Sequence, residues 1–281
     1  MRLVNFDGRL GLDVAGRFVD AEIASGRRIP ADPMAAFENW DALRRLSAEQ
    51  TAGDAGPILV PERLGPPVPR PTQVFAIGLN YRDHAEEAGL PIPELPMVFT
   101  KFPTCLAGPT AEVPLTSDRV DWEVEQVVVI GREAEAVAKE HAWEYVAGFC
   151  VGQDVSDRKL QFASKPPQFS LGKSAPSFGP IGPALVSLDE LPDRDDVRLR
   201  CRIDGELVQD SSTKHLIFPV PELIAHLSRW CTLLPGDLIF TGTPAGVGSV
   251  RTPRRYLKAG ETIESEIDGL GRLSNRCVAV G

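Results

Sequence analysis

The sequence lacks any apolar run long enough to span a bilayer, and its first residues are interrupted by Asn5, Asp7 and Arg9. We therefore expect neither a transmembrane helix nor a signal peptide, and we predict a cytoplasmic location. The sequence also lacks an excess of positive charge, since 39 acidic residues against 30 basic ones give a net charge of -9. An acidic surface attracts neither nucleic acid nor an anionic membrane, so we expect neither as a partner.

Cysteine is scarce and odd in number, which argues against a disulfide framework. The five cysteines stand at positions 105, 150, 201, 231 and 277. Most of them lie in apolar sequence and are expected to be reduced core thiols. What is present is an ordinary globular composition, 281 residues with 43% hydrophobic and 25% charged residues. This length predicts one large domain with a smaller companion.

The N-terminal part predicts a small α/β domain. Two short strand-like pieces precede "ADPMAAFENWDALRRL", whose apolar residues have helical spacing. Asp32 is placed to cap this helix, and Pro33 suits its first turn. The four prolines of residues 64–73 then predict a linker. We therefore divide the chain into residues 1–68 and residues 69–281.

The larger part predicts many short apolar strands and few helices. The candidate strands are residues 74–79, 97–102, 120–130, 146–155, 199–203, 237–241, 262–267 and 273–280. Two Asp-Gly pairs, at 204–205 and 268–269, separate strand-like runs and predict β-hairpins. One strong helix follows residue 219, with an apolar stripe that includes Trp230 and Cys231. The fold class predicted is a β-rich α+β protein.

Two carboxylates interrupt the most apolar of these strands, "DWEVEQVVVI" at residues 121–130. Side chains alternate across a strand, so Glu123 and Glu125 should point to the same side. An edge strand with a solvated face would explain most such carboxylates. Here the same face continues through valines, and two buried like charges require a cation between them. A hard divalent ion such as Mg²⁺ would satisfy both, together with a third oxygen ligand.

Asp154 can supply that third ligand. It follows the apolar strand of "VAGFCVGQDVSDR", and side chains at strand ends often build sites. A helix predicted to start near Ser156 offers the alternative that Asp154 is a helix cap.

A possible general base lies in "GLNYRDHAEEAG". Asp83 and Glu86 have the spacing of a capping box, whereas His84 and Glu87 share one helix face. A carboxylate that orients an imidazole is the usual arrangement for activating water. The alternatives are a solvated surface histidine and part of an iron oxygenase triad. The triad would need a second histidine, and His141, His215 and His226 all fall on or beside predicted helices.

Two further segments carry candidate polar groups. Lys173 lies among glycines and prolines in "FSLGKSAPSFGPIGP", where a lysine is usually solvated but can also stabilise an enolate. The turn "TGTPAGVG", residues 241–248, follows an apolar strand but lacks the spacing of a phosphate-binding loop. Its backbone amides, or the hydroxyl of Thr241 or Thr243, could hold a carboxylate.

Six motifs in order resemble the fumarylacetoacetate hydrolase family over nearly all of the chain from about residue 74. They are "GLNYRDHAEEAG", "VDWEVEQVVVIG", "VAGFCVGQDVSDR", "GKSAPSFGPIGP", "LLPGDLIFTGTPAGVG" and "GLGRLSNR". The resemblance implies a mixed β-roll catalytic domain, usually homodimeric, that holds Mg²⁺ or Mn²⁺. Preceding residues match only as the variable small N-terminal domain of that family.

The resemblance also implies roles for particular residues. The metal ligands fall on Glu123, Glu125 and Asp154, and the water-activating pair falls on His84 and Glu87. The catalytic lysine falls on Lys173. The residues expected to contact substrate are Tyr81, Arg82, Gln153 and Thr243. This chain departs from the family at Gln153, where Asn is frequent, and at residues 174–176, which replace part of a "GKSFD" pattern. Both departures could alter the shape of the substrate pocket.

The function implied is metal-dependent hydrolysis of a carbon–carbon bond in an acylpyruvate or related diketo acid. Water activated by His84 and Glu87 would attack the distal carbonyl, and Lys173 would stabilise the enolate that leaves. The runner-up is decarboxylation of an oxaloacetate-like 2-oxo acid, which needs no water attack. A catalytically silent metal-binding scaffold is the alternative from another class, and a non-haem iron dioxygenase is a third enzyme reading.

Overall fold

The computed structural model describes residues 1–51 and 56–280. The strands are β1 (Arg2–Phe6), β2 (Arg9–Val14), β3 (Arg17–Asp20), β4 (Leu64–Gly65), β5 (Val74–Gly78), β6 (Met97–Thr100), β7 (Leu106–Ala107), β8 (Val113–Leu115), β9 (Val120–Asp121), β10 (Val124–Ile130), β11 (Val146–Gln153), β12 (Ser156–Asp157), β13 (Gly179–Ser187), β14 (Arg198–Ile203), β15 (Glu206–Ser212), β16 (Leu238–Phe240), β17 (Thr262–Ile267) and β18 (Gly271–Ala279). The α-helices are α1 (Ala21–Ala24), α2 (Trp40–Glu49), α3 (Arg82–Glu87), α4 (Arg158–Gln161), α5 (Phe169–Gly172) and α6 (Val220–Ser228). Short 3₁₀ turns join several of them, and the prediction of a β-rich α+β fold is confirmed.

One large mixed sheet organises the molecule. Its strand order is β3-β2-β1-β13-β11-β10-β16-β5-β6, with β4 beside β1 and β7 beside β13. A second sheet has the order β15-β14-β17-β18-β8 and packs its apolar face on the first. Both predicted Asp-Gly hairpins are present, between β14 and β15 and between β17 and β18. The φ values of Asp204 and Gly205, +49° and +83°, suit this sharp reversal.

The N-terminal strands join the large sheet directly. β1 pairs antiparallel with β13, and residues before and after position 68 share one apolar cluster. The proline-rich segment is not an exposed linker, since Leu64 and Gly65 pair with β1 and Val68 is fully buried. The division into 1–68 and 69–281 stays a prediction about domains, but the sheet is continuous across it.

Two predicted helices differ in detail from the structure. Asp32 accepts a hydrogen bond from the Met34 amide, but it caps a 3₁₀ turn at Pro33–Ala36, and α2 starts separately at Trp40. The later helix ends at Ser228, so Trp230 lies outside the stripe and is 75% exposed. Cys231 is also exposed, whereas the other four cysteines are buried, and all five are free thiols. In the described part of the chain no helix is long and apolar enough to cross a membrane.

The strand directions bring four chain segments to one end of the sheet. β10 runs antiparallel to both β11 and β16, so its first residues lie beside the last residues of those strands. β5 is parallel to β16 and therefore ends at the same place. Four parts of the chain therefore meet at this end: Glu125 near the start of β10, Asp154 after β11, Gly242 after β16, and α3 after β5. Topology alone thus assembles residues that are up to about 160 positions apart in sequence.

Candidate active site

Three buried carboxylates converge at this end of the sheet. Ligand oxygens of Glu123, Glu125 and Asp154 all lie within 4.8 Å of one another. The predicted continuous strand through Glu123 was wrong, because β9 ends at Asp121 and β10 starts at Val124. Asp154 is not a helix cap, since Asp157 caps α4 by accepting from the Leu160 amide.

Glu125 is the carboxylate that lacks a cation. Its Oε2 accepts a 2.8 Å hydrogen bond from the Gly242 amide, and it forms no ion pair with any described residue. Burial, together with the charges of Asp154 and Glu123, raises the pKa of Glu125 well above its ordinary value. Burial also opposes ionisation of Glu123, but Lys173 and Arg158 outweigh it and lower the pKa of that group.

The site therefore fits a divalent cation on its own chemistry. Its donors are carboxylate oxygens, which Mg²⁺ and Mn²⁺ prefer, and one of them is buried with no positive partner. Among the described residues, Glu123, Glu125 and Asp154 form the one group of three or more histidine, cysteine or acidic side chains that lie close enough to share an ion. None of the three is a histidine. The iron oxygenase triad is therefore not formed around His84.

Lys173 lies inside this cluster rather than in solvent. It follows α5 and is 2% exposed. Its Nζ donates to Glu123 Oε2 at 2.6 Å, to Asp154 Oδ2 at 2.8 Å and to Ser156 Oγ at 2.7 Å. Three acceptors match the three donors of an ammonium group, so Lys173 is fixed in position.

Sequence reasoning missed Lys101, a second buried lysine. Its Nζ donates to Asp154 Oδ1 at 2.6 Å and to the carbonyls of Lys173 and Phe178. Burial opposes its charge, but Asp154 outweighs that effect, so the pKa of Lys101 is raised. The signal available in the sequence was a lysine inside the apolar run "MVFTKF", which is unusual for a solvated side chain.

Arg158 and Asp121 form the other unpredicted part of the site. The guanidinium of Arg158 contacts both Asp121 and Glu123, and Nη1 donates to Gln161 at 2.9 Å. Asp121 also accepts from the amides of Gly248 and Ser249, at 2.7 and 3.0 Å. Arg158 thereby connects Glu123 to the loop that closes the other side of the site.

His84 and Glu87 lie on one face of α3, as their spacing predicts. His84 Nδ1 is 3.7 Å from Glu87 Oε2, and no closer partner of this nitrogen is present among the described residues. Glu87 also accepts from the Gly246 amide at 2.9 Å. Partial burial raises the pKa of Glu87, but the interactions with His84 and Gly246 outweigh it and the net pKa is lowered.

The predicted capping box on α3 was wrong. The helix begins at Arg82 after Tyr81, which makes no side-chain cap. Asp83 is inside the first turn, where it accepts from the His84 amide at 2.8 Å and from the Ser211 hydroxyl at 3.2 Å. Glu86 is exposed. Asp83 thus ties α3 to the second sheet instead of capping it.

The residues expected to contact substrate lie in different environments. Thr243 lines the cavity, although its hydroxyl donates to the Val124 carbonyl at 2.9 Å and accepts from Gln209 at 2.8 Å. Gln153 is fully buried between the Glu123 amide and the Ser265 hydroxyl, so it holds Glu123 in place and does not line the cavity. Tyr81 is fully buried, and its hydroxyl has no hydrogen-bond partner among the described residues. Burial is the main cause that raises the pKa of Tyr81 well above its ordinary value. Arg82 is exposed and also lies outside the lining.

A cavity of about 160 Å³ opens onto the carboxylates. Its polar side is formed by His84, Glu123, Glu125, Arg158, Gln161, Lys173 and Thr243. The remainder is mostly apolar and includes the three rings of Phe99, Phe162 and Phe169. Larger surface hollows exist elsewhere, but none of the three buried carboxylates lines them. The small cavity is therefore the candidate active site.

Comparison with known proteins supports this assignment. Residues 73–278 match the family described as fumarylacetoacetate (FAA) hydrolase C-terminal. The mitochondrial oxaloacetate tautomerase FAHD2B of Bos taurus is 43% identical over 214 residues, which cover 75% of this chain and 68% of that protein. A crystal structure described as a "putative HpcE protein" from Mycobacterium smegmatis is 48% identical, with a TM-score of 0.94 and full coverage of both chains.

A third relative was solved with ligands. The maleylpyruvate hydrolase of Sphingobium sp. SYK-6, in complex with manganese(II) and pyruvate, is 27% identical, with a TM-score of 0.82 and full coverage of both chains. A family member thus binds a divalent metal, as the buried carboxylates here would allow. The bovine relative is mitochondrial by name, so the cytoplasmic location of this chain stays a prediction. The sequence match over more than two thirds of the chain, together with the fold, shows that the chain belongs to the fumarylacetoacetate hydrolase family.

Proposed function

We propose that the protein is a divalent-metal-dependent enzyme that hydrolyses a carbon–carbon bond in an acylpyruvate or a related diketo acid. The observation that carries this proposal is that His84, Lys173, Glu123 and Glu125 line one cavity, with the carboxylate of Asp154 beside those of the two glutamates. Hydrolysis needs a base for water and a cation for the enolate that leaves, and both are present in the same small space.

The residues would divide the work as follows. A bound Mg²⁺ or Mn²⁺ would act as a Lewis acid toward the adjacent keto and carboxylate oxygens of the substrate. His84, held near Glu87, would take a proton from water that attacks the distal carbonyl. Lys173 would stabilise negative charge on the departing pyruvate enolate, which then accepts a proton. Arg158 and Thr243 border the place where the substrate oxygens would lie.

A second candidate is a reaction of oxaloacetate-like acids that needs no water attack, either keto–enol tautomerisation or decarboxylation. The similarity to proteins named oxaloacetate tautomerase favours it. The same metal site and Lys173 would serve, because an enolate is formed in each case. Only hydrolysis would require His84 to deprotonate water.

A panel of substrates tests the proposal. Pyruvate release from acetylpyruvate, fumarylpyruvate and oxaloacetate would be measured with Mg²⁺ or Mn²⁺, with chelator-treated protein as the blank. The proposal expects metal-dependent pyruvate from an acylpyruvate, with one equivalent of the matching acid. Pyruvate from oxaloacetate alone, or faster loss of the enol absorbance of oxaloacetate without pyruvate, would support the second candidate. Metal binding with neither signal would support a silent scaffold.

We also propose a homodimer, which the family resemblance implies. The support in this chain is the outermost strand β6, where Met97 and Val98 are 42% and 38% exposed, and the neighbouring Phe102, which is 49% exposed. Such an apolar sheet edge is usually covered. Sedimentation equilibrium would show twice the chain mass of 30.5 kDa if the dimer forms.

A further inference from the structure

Three phenylalanines line one part of the cavity. Phe99 lies in β6, Phe169 opens α5, and Phe162 follows α4. The ring centroids of Phe99 and Phe169 are 5.5 Å apart, and those of Phe169 and Phe162 are 6.4 Å apart. Both pairs meet edge to face, the favourable geometry for aromatic contacts. These three residues are called the aromatic wall below.

The aromatic wall begins at the reactive end of the cavity and runs outward. The Nζ of Lys173, which also contacts Glu123 and Asp154, lies 5.3 Å from the ring centroid of Phe99. Phe99 and Phe169 are half-buried, whereas Phe162 is 55% exposed. A ligand held at the carboxylates would therefore direct its far end along the three rings toward solvent.

The outer part of the cavity carries no positive charge of its own. The arginine and lysine among the lining residues are Arg158 and Lys173, and both are bound to buried carboxylates at the inner end. Leu90 and Met97 extend the apolar surface near the opening. A second carboxylate placed there would lose water without gaining a cationic partner, which is unfavourable. An uncharged apolar or aromatic group would instead gain from removing these rings from water.

We propose that the aromatic wall is the subsite for the distal group of the substrate and selects an apolar or aromatic tail over a second carboxylate. This inference rests on the proposed function, because it assumes that the 2-oxo acid end binds at the carboxylates. It adds the substrate class: diketo acids whose far end is alkyl or aryl. The preference arises from the three rings and from the position of Lys173 beside the first of them.

Inert 2-oxo acid analogues test the subsite without turnover. Oxalate has no tail, N-benzyloxamate has an aromatic tail, and N-oxalylglycine has a charged one. Calorimetry would measure binding of each to the Mg²⁺-loaded protein. We expect N-benzyloxamate to bind at least about ten-fold more tightly than N-oxalylglycine, the discrimination typical of an apolar pocket.

Variants of the wall locate the effect. Phe169→Ala should weaken the binding of N-benzyloxamate by about ten-fold, and Phe162→Ala, at the more exposed ring, by about three-fold. The affinity for oxalate should change by less than about two-fold in both variants. Trp230→Ala is the matched control, because Trp230 is an aromatic residue that is 75% exposed and lies outside the cavity lining. It should bind all three compounds like the unmodified protein. The two wall variants together keep the test informative if one of them folds poorly.

The outcomes separate this inference from the proposed function. Binding of oxalate together with equal or tighter binding of N-oxalylglycine would overturn the subsite and leave the proposed function standing. Equal weakening of all three ligands by the wall variants would also overturn it, since the rings would then be structural. Failure of oxalate to bind the Mg²⁺-loaded protein would remove the proposed function and with it the subsite.

Discussion

Lys101 and Asp154 form an ion pair that is closed to solvent, with Lys101 Nζ 2.6 Å from Asp154 Oδ1. Lys173 contacts the other oxygen of the same carboxylate at 2.8 Å. Asp154 is thus held from two sides before any metal binds. Lys101 also holds the backbone carbonyl of Lys173, so it positions both a candidate ligand and the candidate catalytic lysine.

Removing Lys101 should therefore destabilise the fold. Lys101→Met removes the buried cation that donates to Asp154 Oδ1 and to the carbonyls of Lys173 and Phe178, and we expect the free energy of unfolding to fall by about 3–5 kcal/mol. Urea denaturation would measure the change. Lys139→Met is the control, because Lys139 pairs with Glu222 at the surface, and its loss should change stability by about 0–1 kcal/mol. Equal effects of the two substitutions would contradict the role of Lys101.

Glu125→Gln should abolish metal binding but stabilise the metal-free protein near neutral pH. Calorimetry with Mg²⁺ should show binding to the unmodified protein and none to the variant. Saturation at 100 times the dissociation constant should stabilise the former by about 2.7 kcal/mol. Glu86→Gln, on the exposed side of α3, should behave like the unmodified protein. A Glu125→Gln variant that binds Mg²⁺ normally, or retains activity, would contradict this assignment.

The stabilisation of the metal-free protein by Glu125→Gln should depend on pH, because the pKa of Glu125 is raised in the folded state. Below the unfolded pKa of about 4.3, both states carry the proton and the group has no effect on pH dependence. As pH rises above this value, the unfolded state loses a proton that the folded state keeps, so the free energy of unfolding falls. In chelator, the advantage of Glu125→Gln should therefore grow from pH 5 to pH 7. A constant difference would argue that Glu125 ionises normally in the fold.

His84→Ala should separate the two candidate reactions. If hydrolysis is the function, loss of the base should lower the rate of acylpyruvate cleavage by about 10²-fold or more. Decarboxylation of oxaloacetate should persist, since it needs neither attack by water nor removal of a proton from carbon. Steady-state assays of both substrates would measure this, with His141→Ala as the control, because His141 lies on the surface beside Glu144. Equal loss of both activities would contradict a role confined to water.

Gly242→Ala should weaken the site through the backbone. Gly242 has a φ of +97°, and an added Cβ would lie 2.7 Å from Asn80 Cβ. The turn would have to shift, which moves the amide that holds Glu125, so both stability and Mg²⁺ affinity should fall. Gly260→Ala is the matched control, since φ is +92° there and nothing lies within 4 Å of the added Cβ. If Gly242→Ala lowers the free energy of unfolding by at least about 1 kcal/mol more than Gly260→Ala does, the difference is due to the clash with Asn80.

The sequence predicted best what local chemistry determines. The Asp-Gly hairpins and the three carboxylates were predictable because turn residues and charges in apolar strands are visible in short windows. The break between Asp121 and Val124 was not, because it depends on Gln153 accepting from the Glu123 amide across the sheet. Asp83 failed as a cap for a similar reason, since its partner Ser211 lies in the other sheet.

Asp121 and Arg158 show the limit most clearly. Each is an ordinary charged residue in its own segment, and its meaning appears only when strands distant in sequence place an opposite charge beside it. Trp230 shows the converse. Its apolar side chain matched the helical pattern, but α6 ends two residues earlier and leaves it in solvent.

The pairing of β1 with β13 has a consequence for how the chain can be cut. A fragment that starts after residue 68 would keep every candidate catalytic residue and still lose the strand that covers β13. The exposed backbone of β13 would then be free to recruit a strand from another molecule, and such fragments are prone to aggregate. The N-terminal part therefore protects the catalytic sheet from aggregation by covering the edge of β13. Because the two parts share one sheet, they should unfold in a single calorimetric transition.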